Sequence, residues 1–203
     1  MTTALLTFSL AAALIVLLPG PDTLVVVRNL VRGGRRTATL TVCGVLSGLT
    51  VWVVAAAFGL SALLRASHDA YLVLRVVGAA YLVWLGIQSL RSRTVVVADA
   101  PARGGLFGRG YGAGLATDLL NPKVGVFFVT FLPGFVPAGE PVGATSLLFG
   151  AIFVVETAVY FAVLLLLAGR VTGWMNHPVV RRRLDRAAGA VFIGFGVRLA
   201  TDS

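Results

Sequence analysis

Cysteine, histidine and acidic side chains are all scarce in this chain. One cysteine, Cys43, in 203 residues leaves no intrachain disulfide and removes the second thiol that disulfide exchange needs. Two histidines and that cysteine show no zinc or iron–sulfur spacing, so no metal site is expected. Charge is thin as well: 12% of residues are charged against 58% hydrophobic, and the mean hydropathy of +0.93 excludes an ordinary soluble domain. No nucleophile elbow, phosphate loop or metal-binding motif is present, so neither an enzyme nor a cofactor is expected.

Long apolar runs are what the chain has in place of these. A hydrocarbon layer about 30 Å thick needs about 20 mostly apolar residues of helix. Six runs are predicted to span it: Thr2 to Val27, Thr37 to Leu64, Ala70 to Leu90, Gly110 to Pro133, Val142 to Ala168, and Leu184 to Thr201, the last being shorter and interrupted by Arg198. The first basic residue, Arg28, lies downstream of the first apolar run, which argues against a cleaved signal peptide.

The net charge of +9 does not point to nucleic acid, because the basic residues sit in short clusters between apolar runs. Most of the 17 Lys and Arg fall on alternate loops. Arg28, Arg32, Arg35 and Arg36 follow the first run, Arg91, Arg93, Arg103 and Arg109 the third, and Arg170, Arg181, Arg182, Arg183 and Arg186 the fifth. Basic loops stay on the cytoplasmic side, so both termini are predicted outside the cytoplasm.

Polar and helix-breaking residues inside the spans carry the functional signal, because an unpaired backbone group costs several kcal/mol in hydrocarbon. The first span is broken at Pro19-Gly20-Pro21-Asp22 and the fourth at Asn121-Pro122-Lys123. Each follows paired leucines, Leu17-Leu18 and Leu119-Leu120, and each ends in Pro followed by a charge. A three-span unit has odd parity, so its repeat is inverted in the membrane, and a binding site is expected between the two breaks. The predicted organisation is a first three-helix repeat over 1–90, a cytoplasmic basic loop over 91–109 and a second repeat over 110–203.

Each break starts a half-helix whose first amides are unpaired and whose dipole end is positive. Lys123 adds a full positive charge to one, and Asp22 a negative charge to the other. Two readings fit that polarity. A zwitterion places its carboxylate near Asn121 and Lys123 and its ammonium near Asp22, or Asp22 and Lys123 pair with each other as a structural bridge. Asp118, one turn before the second break, and Glu156, central in the fifth span, are expensive charges in hydrocarbon and, with Asp22, are candidate proton carriers. The alternative for Asp118 is capping or pairing with Lys123, and for Glu156 a protonated, hydrogen-bonded packing residue. Tyr81, Trp84, Tyr111, Tyr160 and Trp174 read as interface or packing aromatics, and Gly44 with Gly48 and Gly110 with Gly114 as small-residue packing stripes.

In order along the chain, Pro19-Gly20-Pro21-Asp22-Thr23-Leu24, Arg32-Gly33-Gly34-Arg35-Arg36, Gly44-Val45-Leu46-Ser47-Gly48, Gly78-Ala79-Ala80-Tyr81-Leu82 and Leu120-Asn121-Pro122-Lys123 before Phe127-Phe128 form one combination. It resembles that of the LysE-type amino-acid exporters, the lysine exporter and homoserine/threonine resistance group, over about residues 10 to 199. The resemblance implies an inner-membrane exporter of amino acids or related small metabolites, driven by the proton motive force. It also implies functional roles for Pro19, Gly20, Pro21, Asn121, Pro122 and Lys123. Glu156 matches no motif of the family. A homodimer suits so small a bundle. The rival readings are a cation or metal-ion exporter on the same scaffold, a thiol oxidoreductase, and a membrane protein with no transport role.

Overall fold

In the computed structural model the described residues, 1–91, 109–167 and 178–201, form helices and connecting turns, with no strand among them. The elements are α1 (Thr2–Leu17), α2 (Pro21–Ala66), α3 (His68–Arg91), α4 (Tyr111–Leu119), α5 (Pro122–Val126), α6 (Val142–Leu166) and α7 (Pro178–Thr201). After α5 the chain widens into a π-helical turn, Phe127–Phe131, then tightens into a 3₁₀ turn, Leu132–Phe135. Of the basic segment 91–109 only its two ends are described, and Arg93, Arg103 and Arg170 lie outside the described residues.

The first span is interrupted between Leu17 and Pro21. α1 ends at Leu17 because Leu18 turns extended (φ −81°, ψ 110°) and two prolines, Pro19 and Pro21, have no amide to continue the ladder. Arg28 to Arg36 do not form a loop. Helix resumes at Pro21 and is interrupted at Gly34, whose φ of 71° and ψ of −177° only glycine adopts readily, so residues 21–33 and 35–66 are two helical arms joined at that residue. Asn29 on one arm donates to the Thr41 hydroxyl on the other at 2.8 Å, and both side chains are buried. The last helix begins at Pro178, earlier than the apolar run predicts.

By length and composition, Pro21–Gly59 and Val142–Leu166 are each sufficient to cross a membrane, and Tyr111–Leu119 with Pro122–Phe135, bent by 50°, makes a third crossing if taken as one. Thr2–Leu17 and Val76–Gln88 are apolar but shorter.

Phenylalanine fills the centre. Phe8 of α1 stacks on Phe149 of α6 at 4.6 Å between centroids and meets Phe135 edge-on at 5.3 Å, while Phe127 lies 4.8 Å from Phe153. α2 packs on α4 and α6, and α1 packs on α6. Glycine brings α2 and α4 together: a side chain on Gly44 would run into the Tyr111 carbonyl, and one on Gly114 into the Thr41 carbonyl, so the two backbones touch.

α3 and α7 form a pair of their own. Gly86, Gly189 and Gly196 leave no room for a β-carbon between them, and the Ala79 carbonyl lies 2.8 Å from where one would stand on Gly196. This pair meets the other helices through a small apolar cluster of Leu18, Ala79 and Leu82, with Val126 and Val191 packed against it.

Candidate functional site

The two interruptions touch. Asn121 is the N-cap of α5, its side-chain oxygen accepting from the Lys123 amide at 3.1 Å, with Pro122 following at the first helical position. Its side-chain nitrogen donates to the Asp22 carboxylate at 2.7 Å, joining residues 99 apart in sequence. Lys123 reaches back across the other break. Its ammonium donates to the carbonyls of Ile15 and Leu18, both at 3.1 Å, where α1 ends. A cation at a helix C-terminus satisfies carbonyls that have lost their helical partners and faces the negative end of the dipole.

Of the two readings of Asp22 and Lys123, neither describes these bonds in full. The side-chain amide of Asn121 stands on the Asp22 carboxylate, and the α1 carbonyls hold Lys123. Asp22 Oδ1 is buried with no hydrogen-bond partner. Gly20 lies beside the lysine, its would-be β-carbon 3.7 Å from Nζ.

A cavity of about 40 Å³, measured as space open to the centre of a water molecule, lies where the breaks meet. Gly20, Asp22, Asn121 and Lys123 form its polar wall, and Val45, Leu49, Phe127, Phe153 and Phe161 much of its apolar one. Its volume exceeds the roughly 10–15 Å³ needed to admit a water. Thr23, Thr157 and Tyr160 also face it, and the Thr23 and Tyr160 hydroxyls are 3.3 Å apart. Sequence reasoning placed Tyr160 with the packing aromatics and passed over Thr23 and Thr157. The available signal was their closeness to positions already singled out: Thr23 follows Asp22, and Thr157 follows Glu156, with Tyr160 and Phe161 one turn on.

The five other predicted residues fall differently. Asp118 is fully buried, and neither carboxylate oxygen has a hydrogen-bond partner. It therefore does not pair with Lys123. Its carboxyl lies against Gly48 on α2, where an added β-carbon would stand 2.5 Å from Oδ2, and its carbonyl accepts from the Trp52 indole at 3.3 Å. Glu156 is partly buried on α6 with Oε2 unpartnered, but it is not among the residues lining the cavity. Pro19, Pro21 and Pro122 act through the backbone, the last two at the first position of their helices, and none of the three lines this cavity.

A second, wider hollow of about 480 Å³ lies on the far side of Asn121. Its walls come from Trp52 on α2, Val77, Gly78 and Tyr81 on α3, and Leu119 through Thr130 around the second break. Asn121 lines both spaces.

Comparison with known proteins follows this geometry. A family model described as LysE type translocator matches residues 13–203. A homoserine/homoserine lactone efflux protein from Salmonella typhi is 30% identical over 198 residues, covering 96% of this chain and 94% of the relative. A threonine efflux protein from Escherichia coli strain K12 is 32% identical over 200 residues, with 96% of each covered. An uncharacterized membrane protein from Pseudomonas aeruginosa is 33% identical, covering 96% of this chain and 94% of its own length. No solved structure matches the chain.

Proposed function

The chain belongs to the LysE type translocator family, and from that premise we propose that it exports small amino acids across the inner membrane by alternating access, taking up a proton in exchange. The observation that carries this reading is the bond between the breaks: Asn121 on Asp22, with Lys123 on the end of α1, around one cavity.

That arrangement has the polarity of an amino acid's own ends. The substrate ammonium bonds Asp22 Oδ1, the oxygen with no partner. The carboxylate takes the Lys123 ammonium, which must then let go of the Ile15 and Leu18 carbonyls. Binding therefore unpins the end of α1 from α5. The side chain projects toward Phe153 and Phe161, with the Thr23, Thr157 and Tyr160 hydroxyls at the edge. A cavity of about 40 Å³ is narrow for an amino acid, so this reading requires it to widen as the pin is released. Asp22, Asp118 and Glu156 are the groups on which a returning proton is held, and Asp118, buried without a partner, is the foremost.

Six spans in two inverted units suit the packing. If spans one to three correspond to four to six, the contact of the second span with α4 matches that of α6 with α1, while α3 with α7 and α2 with α6 each map onto themselves. Both termini then lie outside the cytoplasm, and each break falls near mid-depth.

The test is counterflow of L-threonine and L-homoserine in proteoliposomes, with and without a pH gradient. Removing one partner of a desolvated charged contact costs about 2–5 kcal/mol, so Asp22→Asn and Lys123→Ala should each lose roughly 30-fold or more in rate while still inserting in the membrane. Rates equal to the parent in both variants refute the site.

A further inference from the structure

We infer that the Thr23–Tyr160 hydroxyl pair selects the substrate by its side chain, and that the exported class is amino acids with a short, uncharged side chain bearing a hydroxyl group. This rests on the exporter reading and adds to it the group that chooses among amino acids, since Asp22 and Lys123 answer only the ammonium and carboxylate that all of them share.

The first break is what sets Thr23 apart from the other threonines. Inside a helix a threonine hydroxyl commonly donates to the carbonyl four residues back. Thr41, Thr130 and Thr157 do so at 2.8, 2.7 and 2.8 Å. Thr23 is the third residue of α2, so the position four back is Pro19, ahead of the helix. Its hydroxyl instead meets that of Tyr160 on α6, 137 residues on, at 3.3 Å. That is long for two hydroxyl groups, which favour about 2.7–2.8 Å. Both residues line the cavity, and among the described residues neither hydroxyl has a second hydrogen-bond partner.

Two hydroxyls carry two hydrogens, and one bond between them uses a single one. The other is left to donate. Thr157, also on the cavity wall and one turn back from Tyr160 on the same face of α6, has spent its hydrogen on the Phe153 carbonyl and keeps its oxygen as an acceptor. Together the three residues offer one donor and free acceptor lone pairs, which is the complement of an alcohol. A methyl group in the same place leaves that donor unanswered. A site built to bond a substrate hydroxyl rejects the analogue lacking it far more strongly than an apolar pocket rejects an extra methylene. Phe153 and Phe161 beside these hydroxyls make a charged side chain costly, and a cavity of about 40 Å³ disfavours a long one.

Counterflow of L-threonine and L-valine in proteoliposomes tests this, because the two differ by a hydroxyl in place of a methyl. The parent should prefer L-threonine. Tyr160→Phe removes one oxygen and keeps the ring, and it should lower the threonine-to-valine ratio of kcat/KM about tenfold, the worth of roughly one hydrogen bond. Thr23→Val removes the other oxygen at nearly constant shape and should lower the ratio similarly. A ratio that stays at the parent's value in both variants overturns the pair as the selector, and so does an equal loss for both substrates, which would mark the bond as structural. A parent that exchanges L-valine as readily as L-threonine overturns it too, while leaving the exporter reading in place. If the parent exchanges none of the common amino acids, the exporter reading itself has failed. Should Tyr160→Phe not assemble, Thr23→Val carries the same comparison.

Discussion

At the scale of single residues, the mechanism proposed above gives Lys123 two competing partners. In the geometry described it bonds the carbonyls of Ile15 and Leu18, the former also accepting from the Leu18 amide, so under that proposal a substrate carboxylate must offer more than those carbonyls do. A buried cation that swaps partners costs less than one left bare. Asp118 makes the contrasting case, a fully buried carboxyl group with both oxygens unpartnered against Gly48. Asp118→Asn keeps the shape and removes the titrating group. Exchange of L-threonine should continue in this variant, while stimulation by a pH gradient should vanish, which a paired counterflow and gradient-driven flux measurement resolves. Stimulation equal to the parent's would move the proton elsewhere. Asp22, Asn121 and Lys123 stand out in the sequence as polar residues beside a proline in an apolar run, and Asp118 as a carboxylate within one. The sequence hid Thr23, Thr157 and Tyr160, because hydroxyl side chains are tolerated anywhere along a buried helix and only the cavity distinguishes them.

The helices owe their arrangement to glycines and prolines more than to side-chain chemistry. Hydrophobic patterning could not have arranged them, because a span that is apolar all round has no preferred face and lipid is as apolar as a neighbouring helix. Close approach decides instead. α2 and α4 touch through Gly44 and Gly114, at positions where the facing atoms are backbone carbonyls that cannot yield. Gly114→Val should therefore force the pair apart and destabilise the fold by about 1–3 kcal/mol, the usual cost of overpacking, read as a lowered unfolding midpoint in detergent. Gly112→Val, with open space around it, is the matched control and should leave the midpoint unmoved. The same reasoning explains why the connection after the first span was misjudged from sequence. A cluster of arginines reads as a loop, yet Arg28 and Arg32 sit on ordinary helix, and the chain turns at Gly34, the single residue of α2 with non-helical angles. Arg35, next to that turn, donates to the carbonyls of Leu165 and Leu166 at 3.1 and 3.5 Å and so ties it to the end of α6.

Taken whole, the molecule divides into a large phenylalanine-centred body and the α3–α7 pair. The seam between them runs past Leu18 at one break and Val126 just beyond the other, so a movement of the pair bears directly on both. Spin labels at exposed positions measure this without touching the site. Labels on Val76 of α3 and Val155 of α6 should show a distance that shifts or splits when L-threonine and a pH gradient are added, whereas Val51 and Val155, both within the larger body, should keep a single distance. An unchanged first pair would make the molecule one rigid unit. Helix content was visible in the sequence as apolar runs. The division into two bodies was not, because it depends on which glycines face which, and one-dimensional spacing does not record facing.

The partnership of α3 with α7 also bears on how the protein is made. α3 emerges from the ribosome long before α7, the helix that covers its Gly86 face. Until then the early helices must wait in the bilayer with that face against lipid or against the insertion machinery. Closure of the α3 face is thus set by the arrival of α7, and a polypeptide cut short before Pro178 would reach the membrane with that face still open.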